Sequence, residues 1–384
     1  MIIYMSALLS QGGYGCVYHP SLSCSGKSEK NNKKVSKLQK KDWASENEII
    51  IGKIITKIKN YKFYFLPITS SCDINITNVD KSILEECRVV KKKPEAKFVL
   101  MKMDYLENIS FIDYLKTSSH SGEYSIAKLV QSYKALCESL DLLKESNIVH
   151  HDLKMDNILI SKENYQPIII DFGISLNMNN LSSQQEDKLD NYFYIDAPDY
   201  YPWPLEVHII NYIVQSRMDT NYGPIVSNEL IDIAEKWCKY NQSLKIFSKE
   251  FNKKFLEKSK YYLKQFDGKT NKEVLEILLK TWEKWDIYSL SVIYLKIITF
   301  IFNESFPDTN FLSEMTQMLL INLSPNPEER LSCKSTISYL EDIVNREDSL
   351  QDLIKTSEKI TIDKNKITTI QNNEDKKLNK IKVN

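Results

Sequence analysis

Apolar residues follow two different periods along this chain. In the first hundred residues they form short, often alternating runs bounded by polar turns, which is typical of strands. A further pair of such runs lies near residue 160, on either side of a turn-like segment. Beyond residue 110 most apolar positions recur every three to four residues, which predicts helices. The pattern therefore predicts an α+β chain whose strands come first and whose helices follow.

The strands predicted for the first part surround one helix. Strands are expected at 6–9, 16–18, 33–38, 64–68 and 98–103, and the helix at 43–51. The polar stretch between the last two strands ends in Lys91-Lys92-Lys93-Pro94 and is expected to be a solvated loop.

The longest helical pattern covers residues 126–145, with an apolar stripe from Leu129 to Leu143. The apolar run at 287–302 is interrupted by Lys296 and is too short to span a bilayer, so it is interpreted as a buried helix. Two or three charged amphipathic helices are predicted within 228–285, with candidate ranges 228–247, 249–266 and 271–285.

Composition and charge exclude several classes of protein. Lys plus Arg equals Asp plus Glu, at 51 each, so no global field indicates binding to nucleic acid or to a membrane. The apolar residues 1–9 lack a basic flank and are too few for a signal sequence. The seven cysteines are odd in number and form no C-x-x-C pair, which favours a reducing compartment and argues against disulfides or structural zinc.

A polar stretch after the longest helix carries the candidate chemistry. Asp152 can accept a proton from a hydroxyl group, and Lys154 can neutralise a phosphoryl group in transfer. Asn157 and Asp171, which flank the predicted hairpin at 158–170, offer the oxygen ligands that Mg²⁺ prefers. Together these residue types predict phosphoryl transfer.

The run H-x-D-L-K-x-x-N, from His150 to Asn157, precedes a D-F-G triplet at Asp171 by one hairpin. This arrangement resembles the catalytic and metal-binding loops of the eukaryotic-type protein kinase superfamily. The resemblance implies a bilobal kinase-like fold, with a small β-rich N-lobe and a larger helical C-lobe that carries a helical insertion. It also implies Mg²⁺-dependent transfer of the γ-phosphate of ATP to a protein Ser or Thr hydroxyl, because D-L-K-x-x-N is similar to the serine/threonine form. Asp152 and Lys154 would be catalytic, and Asn157 and Asp171 would bind the metal.

The first strand-turn-strand unit is similar to the glycine-rich loop of kinases. Gly12 and Gly15 match its second and third glycines, and Ser10 stands where the first is usual. The resemblance assigns nucleotide contacts to Ser10, Gly12, Gly13, Tyr14, Gly15 and Val17.

The rest of the nucleotide site follows from the same resemblance. Lys37 matches the phosphate-binding lysine of the third strand, and its partner is expected to be Glu48 in preference to Glu46, because Ile51 and Ile55 share the face of Glu48. Met103, Asp104 and Tyr105 would form the connection that faces adenine, with Met103 at the gatekeeper position.

Three further matches are structural. Pro204-Leu205-Glu206 is similar to the A-P-E end of an activation segment, Glu206 is expected to pair with Arg330, and Asp286 is expected to brace the catalytic loop. His151 replaces the usual Arg, and a neutral imidazole binds phosphate poorly. We therefore predict activity without activation-loop phosphorylation, so that Ser182→Ala with Ser183→Ala leaves turnover intact.

The predicted domain boundaries are 1–104 for the N-lobe, 105–345 for the C-lobe with an insertion at about 208–280, and 346–384 for a flexible, charged tail. Three features resemble serine/threonine kinases of large nucleocytoplasmic DNA viruses of the mimivirus type: the short connection into the helix of Glu48, the segment 201–208 and the Asn/Lys/Ile-rich composition. AT-rich protists share the composition. The viral resemblance implies location in the host cytoplasm or the virion.

Two alternatives keep the fold and change the function. One is a catalytically weak pseudokinase that binds partners, and the other is a small-molecule phosphotransferase of the antibiotic-modifying type, although that class usually lacks the Leu-Lys pair and the Phe-Gly after the metal Asp. The physiological substrate, the regulation and the oligomeric state stay open.

Overall fold

The structure is a computed structural model that describes residues 5–13, 15–116, 122–181, 189–195, 197–217, 223–301 and 310–346. Its described residues form two compact units. The first unit comprises the described parts of 5–109 and 159–175, and the second comprises the described parts of 110–158 and 176–346. Tyr14, Ser182, Ser183 and the predicted tail beyond residue 346 lie outside the described residues.

The regular elements are numbered in chain order. The strands are β1 Ala7–Gln11, β2 Gly15–His19, β3 Lys34–Lys40, β4 Ser70–Ile74, β5 Phe98–Asp104, β6 Asn108–Ser110, β7 Ile148–Val149, β8 Ile158–Ser161, β9 Pro167–Ile169 and β10 Leu176–Asn177. The helices are α1 Trp43–Ile55, α2 Lys81–Leu84, α3 Arg88–Lys92, α4 Phe111–Lys116, α5 Gly122–Glu145, α6 Leu205–Arg217, α7 Ser227–Tyr240, α8 Lys249–Leu263, α9 Asn271–Leu279, α10 Trp285–Ile301, α11 Asn310–Asn322 and α12 Cys333–Val344.

The first unit is built on an antiparallel sheet with the strand order β1-β2-β3-β5-β4. Helix α1 begins with a capping box, in which the Asp42 carboxylate accepts a hydrogen bond from the Ser45 N–H and the Ser45 hydroxyl accepts one from the Asp42 N–H. Ile51 and Ile55 of α1 are fully buried. The same helical face therefore carries the core contacts and, one turn earlier, Glu48.

The strand predicted at 64–68 is wrong, since β4 lies at Ser70–Ile74 instead. In the predicted range Phe65 forms only an isolated bridge to Ile169. Pro67 has no N–H to donate, which disfavours a place inside a sheet. Phe65, Pro67 and Ile68 are buried although they are outside any strand. A short apolar run by itself does not distinguish a strand from a buried irregular segment.

The connection between β4 and β5 was predicted as a solvated loop, and this prediction is also wrong. It contains α2 and α3, and their buried residues Ile83 and Val90 belong to a core cluster with Tyr18 and Leu100 of the sheet. The connection therefore completes the core of the first unit.

The expectation against disulfides is overturned in the first unit. Cys16 is bonded to Cys87 and Cys24 to Cys72, with Cα–Cα distances of 5.9 and 6.0 Å. The partners are 71 and 48 residues apart, so no local spacing in the sequence indicates the pairing. Three cysteines of the described second unit are free thiols: Cys137, Cys238 and Cys333.

We expect loss of either disulfide to lower the free energy of unfolding by about 2–4 kcal/mol, because each cross-link restricts a long loop of the unfolded chain. Urea denaturation of Cys87→Ser and of Cys24→Ser, with and without reductant, measures the effect. The variant with both substitutions is the control, since it has no intact disulfide and reductant should not weaken it further. Wild-type protein that unfolds at the same urea concentration with and without reductant would contradict this expectation.

The second unit is mainly helical. Helix α5 buries the predicted apolar stripe, and α10 is the buried helix that the apolar run predicts. No helix within the described ranges is long and apolar enough to cross a membrane. The α+β fold, with a β-rich N-terminal part and a larger helical C-terminal part, is thus confirmed.

The helices predicted between residues 228 and 285 exist as α7, α8 and α9, but they end earlier than predicted. Helix α7 stops at Tyr240 because Asn241 turns the chain, with its side-chain oxygen accepting a hydrogen bond from the Ser243 N–H. Helix α6 was not predicted. Its residues are buried almost all round, so it lacks the amphipathic period that identifies surface helices.

Candidate active site

The turn between β1 and β2 has the close backbone packing that a glycine-rich loop requires. The Gly12 N–H donates a hydrogen bond to the Gly15 carbonyl at 3.0 Å. A Cβ atom at residue 15 would lie only 2.6 Å from the Leu38 carbonyl oxygen, so β2 can lie this close to β3 only with glycine there. Ser10 and Val17 are paired across β1 and β2, and Gly13 lies in the turn between them.

Lys37 lies between two carboxylates of the first unit. Its Nζ is 2.8 Å from Glu48 Oε2 and 3.0 Å from Asp171 Oδ1. Lys37 and Glu48 are buried, whereas 35% of the Asp171 side chain is exposed. Glu46 is an exposed residue of α1. The structure therefore contains the Lys37–Glu48 pair that the sequence favoured.

Electrostatics keep Lys37 charged. Burial alone lowers the pKa of Lys37, but Asp171 and Glu48 together raise it above its ordinary value. Burial raises the pKa of Glu48, an effect that Lys37 opposes. A cation held beside an accessible carboxylate in this way suits the binding of phosphate groups with their metal ion.

Asn47 is a supporting residue that the sequence analysis missed. Its Nδ2 donates hydrogen bonds to the carbonyl groups of Gly173 at 3.3 Å and Ser175 at 2.8 Å. Asp171, just before them, has a left-handed backbone with φ of +64°. Helix α1 therefore fixes both Lys37, through Glu48, and the chain that follows Asp171. Only the position of Asn47 beside Glu48 could have indicated this role.

The segment predicted to face adenine ends β5. Met103 is half-buried and pairs with Val35 across β3 and β5. Burial alone raises the pKa of Asp104, but Lys34 and Lys62, at 2.5 and 2.9 Å, lower it below its usual value. The Tyr105 N–H donates to the Lys33 carbonyl at 2.8 Å. The side chain of Asp104 is thus engaged in ion pairs, and the adenine contact stays a prediction about backbone groups.

Asp152 is the centre of a buried polar cluster in the second unit. Asn157 Nδ2 donates hydrogen bonds to the Asp152 carbonyl at 2.8 Å and to Asp152 Oδ2 at 3.3 Å. Lys154 Nζ lies 3.4 Å from Oδ2. The Tyr200 hydroxyl donates to Oδ1 at 2.8 Å. Both oxygens of the candidate base are therefore oriented by neighbouring side chains.

The backbone before Asp152 is held by Asp286 of α10. The N–H groups of His150 and His151 donate to its carboxylate at 2.6 and 3.1 Å, which confirms the predicted brace. Burial raises the pKa of Asp286, while these backbone donors lower it. His151 has a left-handed backbone with φ of +66°, so the brace stabilises an uncommon conformation.

The predicted pair at the end of the activation-segment motif is present and fully buried. Arg330 Nη1 donates to Glu206 Oε1 at 2.5 Å, and Nη2 donates to Oε2 at 2.9 Å. Both side chains are 0% exposed. This bidentate pair ties the start of α6 to the segment before α12.

His208 of α6 makes the stability of the second unit depend on pH. Burial lowers the pKa of His208 from 6.5 to about 4. Because the unfolded chain then binds a proton more readily, we expect about 2–3 kcal/mol of stability to be lost as pH falls from 6.5 towards 4. Urea denaturation at pH 7 and pH 4.5 measures this loss, and His208→Gln should reduce it by that amount. If His208→Gln and wild type lost the same free energy of unfolding between pH 7 and pH 4.5, His208 would not be the cause of the pH dependence.

The first unit brings together Lys37, Glu48 and Asp171, and the second brings together Asp152, Lys154 and Asn157. One carboxylate and one amide side chain, Asp171 and Asn157, are a donor set that suits Mg²⁺, which binds proteins through few side chains and keeps water and phosphate ligands. The residue types therefore fit the implied metal.

Comparison with known proteins gives one family. A sequence model of this family, described as "Protein kinase domain", matches residues 6–199, about half of the chain. The chain is 33% identical over 77 residues to Ephrin type-A receptor 3 of Danio rerio, which covers 20% of this chain and 8% of the relative.

Two Dictyostelium discoideum proteins match similar lengths. Serine/threonine-protein kinase atg1 is 33% identical over 89 residues, 23% of this chain and 13% of the relative. Dual specificity protein kinase zakA is 28% identical over 88 residues, 23% of this chain and 11% of the relative. The chain thus spans only about a tenth of the length of these relatives.

Proposed function

Because the chain belongs to the protein kinase family, we propose that it is an ATP- and Mg²⁺-dependent serine/threonine protein kinase with Asp152 as its catalytic base. The observation that carries the proposal is the orientation of Asp152, whose oxygens are contacted by Tyr200, Lys154 and Asn157. Such orientation is what general-base catalysis of phosphoryl transfer requires.

In the proposed reaction, the hydroxyl oxygen of the acceptor forms a bond to the γ-phosphorus of ATP. The bond from that phosphorus to the β–γ bridging oxygen breaks, ADP leaves, and Asp152 accepts the hydroxyl proton. Lys37, held by Glu48, would bind the α- and β-phosphates, and Lys154 would stabilise the moving phosphoryl group. Asp171 and Asn157 would hold Mg²⁺, which when bound neutralises phosphate charge.

The choice of Ser and Thr as acceptors rests on Lys154, two residues after Asp152, as in the serine/threonine form of the catalytic loop. The relatives named above carry receptor, serine/threonine and dual-specificity names. The test must therefore identify directly which amino acid, Ser, Thr or Tyr, receives the phosphate.

A second candidate is a pseudokinase that binds partners. Ser10, in place of the first glycine of the loop, is the observation that favours it, because a side chain there restricts the approach of phosphate to the backbone. Against it, Lys37, Asp152, Asn157 and Asp171 are all present with ordered side-chain contacts.

The viral resemblance and the cytoplasmic location also belong to the proposal. Four of the cysteines form disulfides, so the cysteines do not indicate a reducing compartment. The location in host cytoplasm or virion now rests on the viral resemblance alone.

The test is transfer of labelled γ-phosphate from Mg-ATP to casein and to a basic protein, followed by phosphoamino acid analysis. We expect label on Ser or Thr, and no label above background in the same reaction time with Asp152→Asn or Asp171→Ala. Label on Tyr alone would contradict the acceptor class. ATP binding without any transfer would favour the pseudokinase.

A further inference from the structure

Tyr200 contacts the proposed base, and the reaction described above assigns it no bond or proton transfer of its own. Its hydroxyl donates to Asp152 Oδ1 at 2.8 Å, and its side chain is buried. Lys154 and Asn157 contact the other oxygen, Oδ2, at 3.4 and 3.3 Å. The phenol therefore restricts rotation of the carboxylate from the side that the other two residues leave unconstrained.

The segment that carries Tyr200 is itself fixed by aromatic contacts. The Trp203 ring lies 5.0 Å from the Tyr200 ring in an edge-on arrangement. The Trp203 indole N–H donates to the His151 carbonyl at 2.6 Å, directly before Asp152 in the chain. Tyr200 and Trp203 thus contact the catalytic loop at two neighbouring points, one on a side chain and one on the backbone.

Two helices, α7 and α10, donate hydrogen bonds to the backbone of this segment. Trp237 of α7 donates from its indole N–H to the Trp203 carbonyl at 3.0 Å. Ser289 of α10 donates from its hydroxyl to the Pro202 carbonyl at 2.7 Å. Trp237 is fully buried, so α7 contacts this segment through the packed interior.

The contact between His151 and Trp203 bears on how the activation segment is held. Its imidazole stacks on the Trp203 ring at 4.8 Å and lies 5.9 Å from Phe193 and 6.3 Å from Trp285. The ring is buried among aromatic side chains, where a phosphate group would lose its hydration without a cationic partner. Residue 151 therefore joins the activation segment to the loop by packing instead of by charge.

We propose that Tyr200 is a positioning residue that orients Asp152 for proton transfer, and that Trp203 anchors it so that turnover needs no phosphate on the activation segment. The inference rests on the proposed kinase activity and assigns its regulation to the packing of this segment. Since the donor and the loop contact are built into the fold, the base is oriented as soon as the second unit has folded.

The test compares Tyr200→Phe with Tyr294→Phe. Both remove one buried phenol hydroxyl of the second unit, and the Tyr294 hydroxyl donates to Ser132 at 2.7 Å, among helices and not on the catalytic loop. We expect Tyr200→Phe to lower kcat about ten- to hundredfold, as for a lost hydrogen bond to a charged group, with KM for ATP within twofold of wild type. Tyr294→Phe should keep the wild-type kcat.

Rates are expressed per molecule that binds a fluorescent ATP analogue, so that loss of folded protein does not imitate loss of catalysis. Equal kcat for Tyr200→Phe and wild type would overturn the positioning role, and a higher kcat would show that the phenol blocks the base. Phosphorylated Tyr200 in mass spectra of active enzyme would also overturn it, because a phosphorylated phenol cannot donate to Asp152.

The second half of the proposal is tested by phosphatase treatment. We expect wild-type kinase freed of phosphate to keep its kcat, and loss of activity on treatment would overturn the phosphate-independent mechanism. Absence of transfer by untreated wild type would be a failure of the proposed kinase activity itself, which the separate assay on casein detects first.

Discussion

Asp152→Asn is expected to lower kcat by about three orders of magnitude, within the range that a positioned general base contributes. The amide has the shape of the carboxylate and its oxygen can still accept the Tyr200 hydrogen bond, but it cannot take the acceptor proton. Affinity for ATP should stay within a few-fold of wild type, because the residues proposed to bind its phosphates are unchanged. Steady-state kinetics with a protein substrate and nucleotide titration measure the two quantities.

Asp190→Asn is the matched control for this variant. Asp190 is an exposed carboxylate of the second unit, so the control makes the same change in charge without touching the cluster. Its kcat should equal that of wild type. A fall of less than tenfold for Asp152→Asn would show that Asp152 does not act as the base.

Arg330→Met should produce the largest loss of stability, about 3–5 kcal/mol in the free energy of unfolding. The substitution leaves the Glu206 carboxylate buried at 0% exposure without the guanidinium that accounts for two of its hydrogen bonds. An uncompensated buried charge is far more costly than the loss of a contact. Urea denaturation with intact disulfides measures this loss.

The double variant Glu206→Leu with Arg330→Met separates the cost of the stranded charge from the value of the pair. Because both charges are gone, it should recover much of the stability lost in Arg330→Met. Lys134→Met is the exposed control, since its pair with Glu341 at 2.6 Å is 41% and 46% exposed and should contribute less than about 1 kcal/mol. A single Arg330→Met variant as stable as Lys134→Met would refute the argument.

Contacts between distant parts of the chain could be predicted where a motif fixes the role of both partners. Glu206 and Arg330, and Asp286 with the backbone before Asp152, were paired correctly across more than 120 residues. The choice of Glu48 over Glu46 needed only helical periodicity, because one face of α1 must be buried.

Other features could not be predicted because their cause lies in tertiary packing. The strand β4, Ser70–Ile74, is mostly polar and exposed, whereas the apolar stretch at 64–68 before it is not a strand. Only pairing with β5 in the sheet decides which segment becomes the strand. The two disulfides join residues 71 and 48 positions apart, which no local spacing encodes. Tyr200 is one aromatic residue among several in its segment, and its role depends on which one reaches Asp152.

Both disulfides belong to the first unit, whereas the cysteines of the described second unit are free thiols. A reducing environment therefore breaks covalent cross-links in the first unit only. Under reducing conditions, backbone amides of β2 and β4 should exchange with deuterium more readily, while those of α10 keep their protection. A single melting temperature would then not describe this chain, because reduction lowers the stability of the first unit and leaves that of the second unchanged.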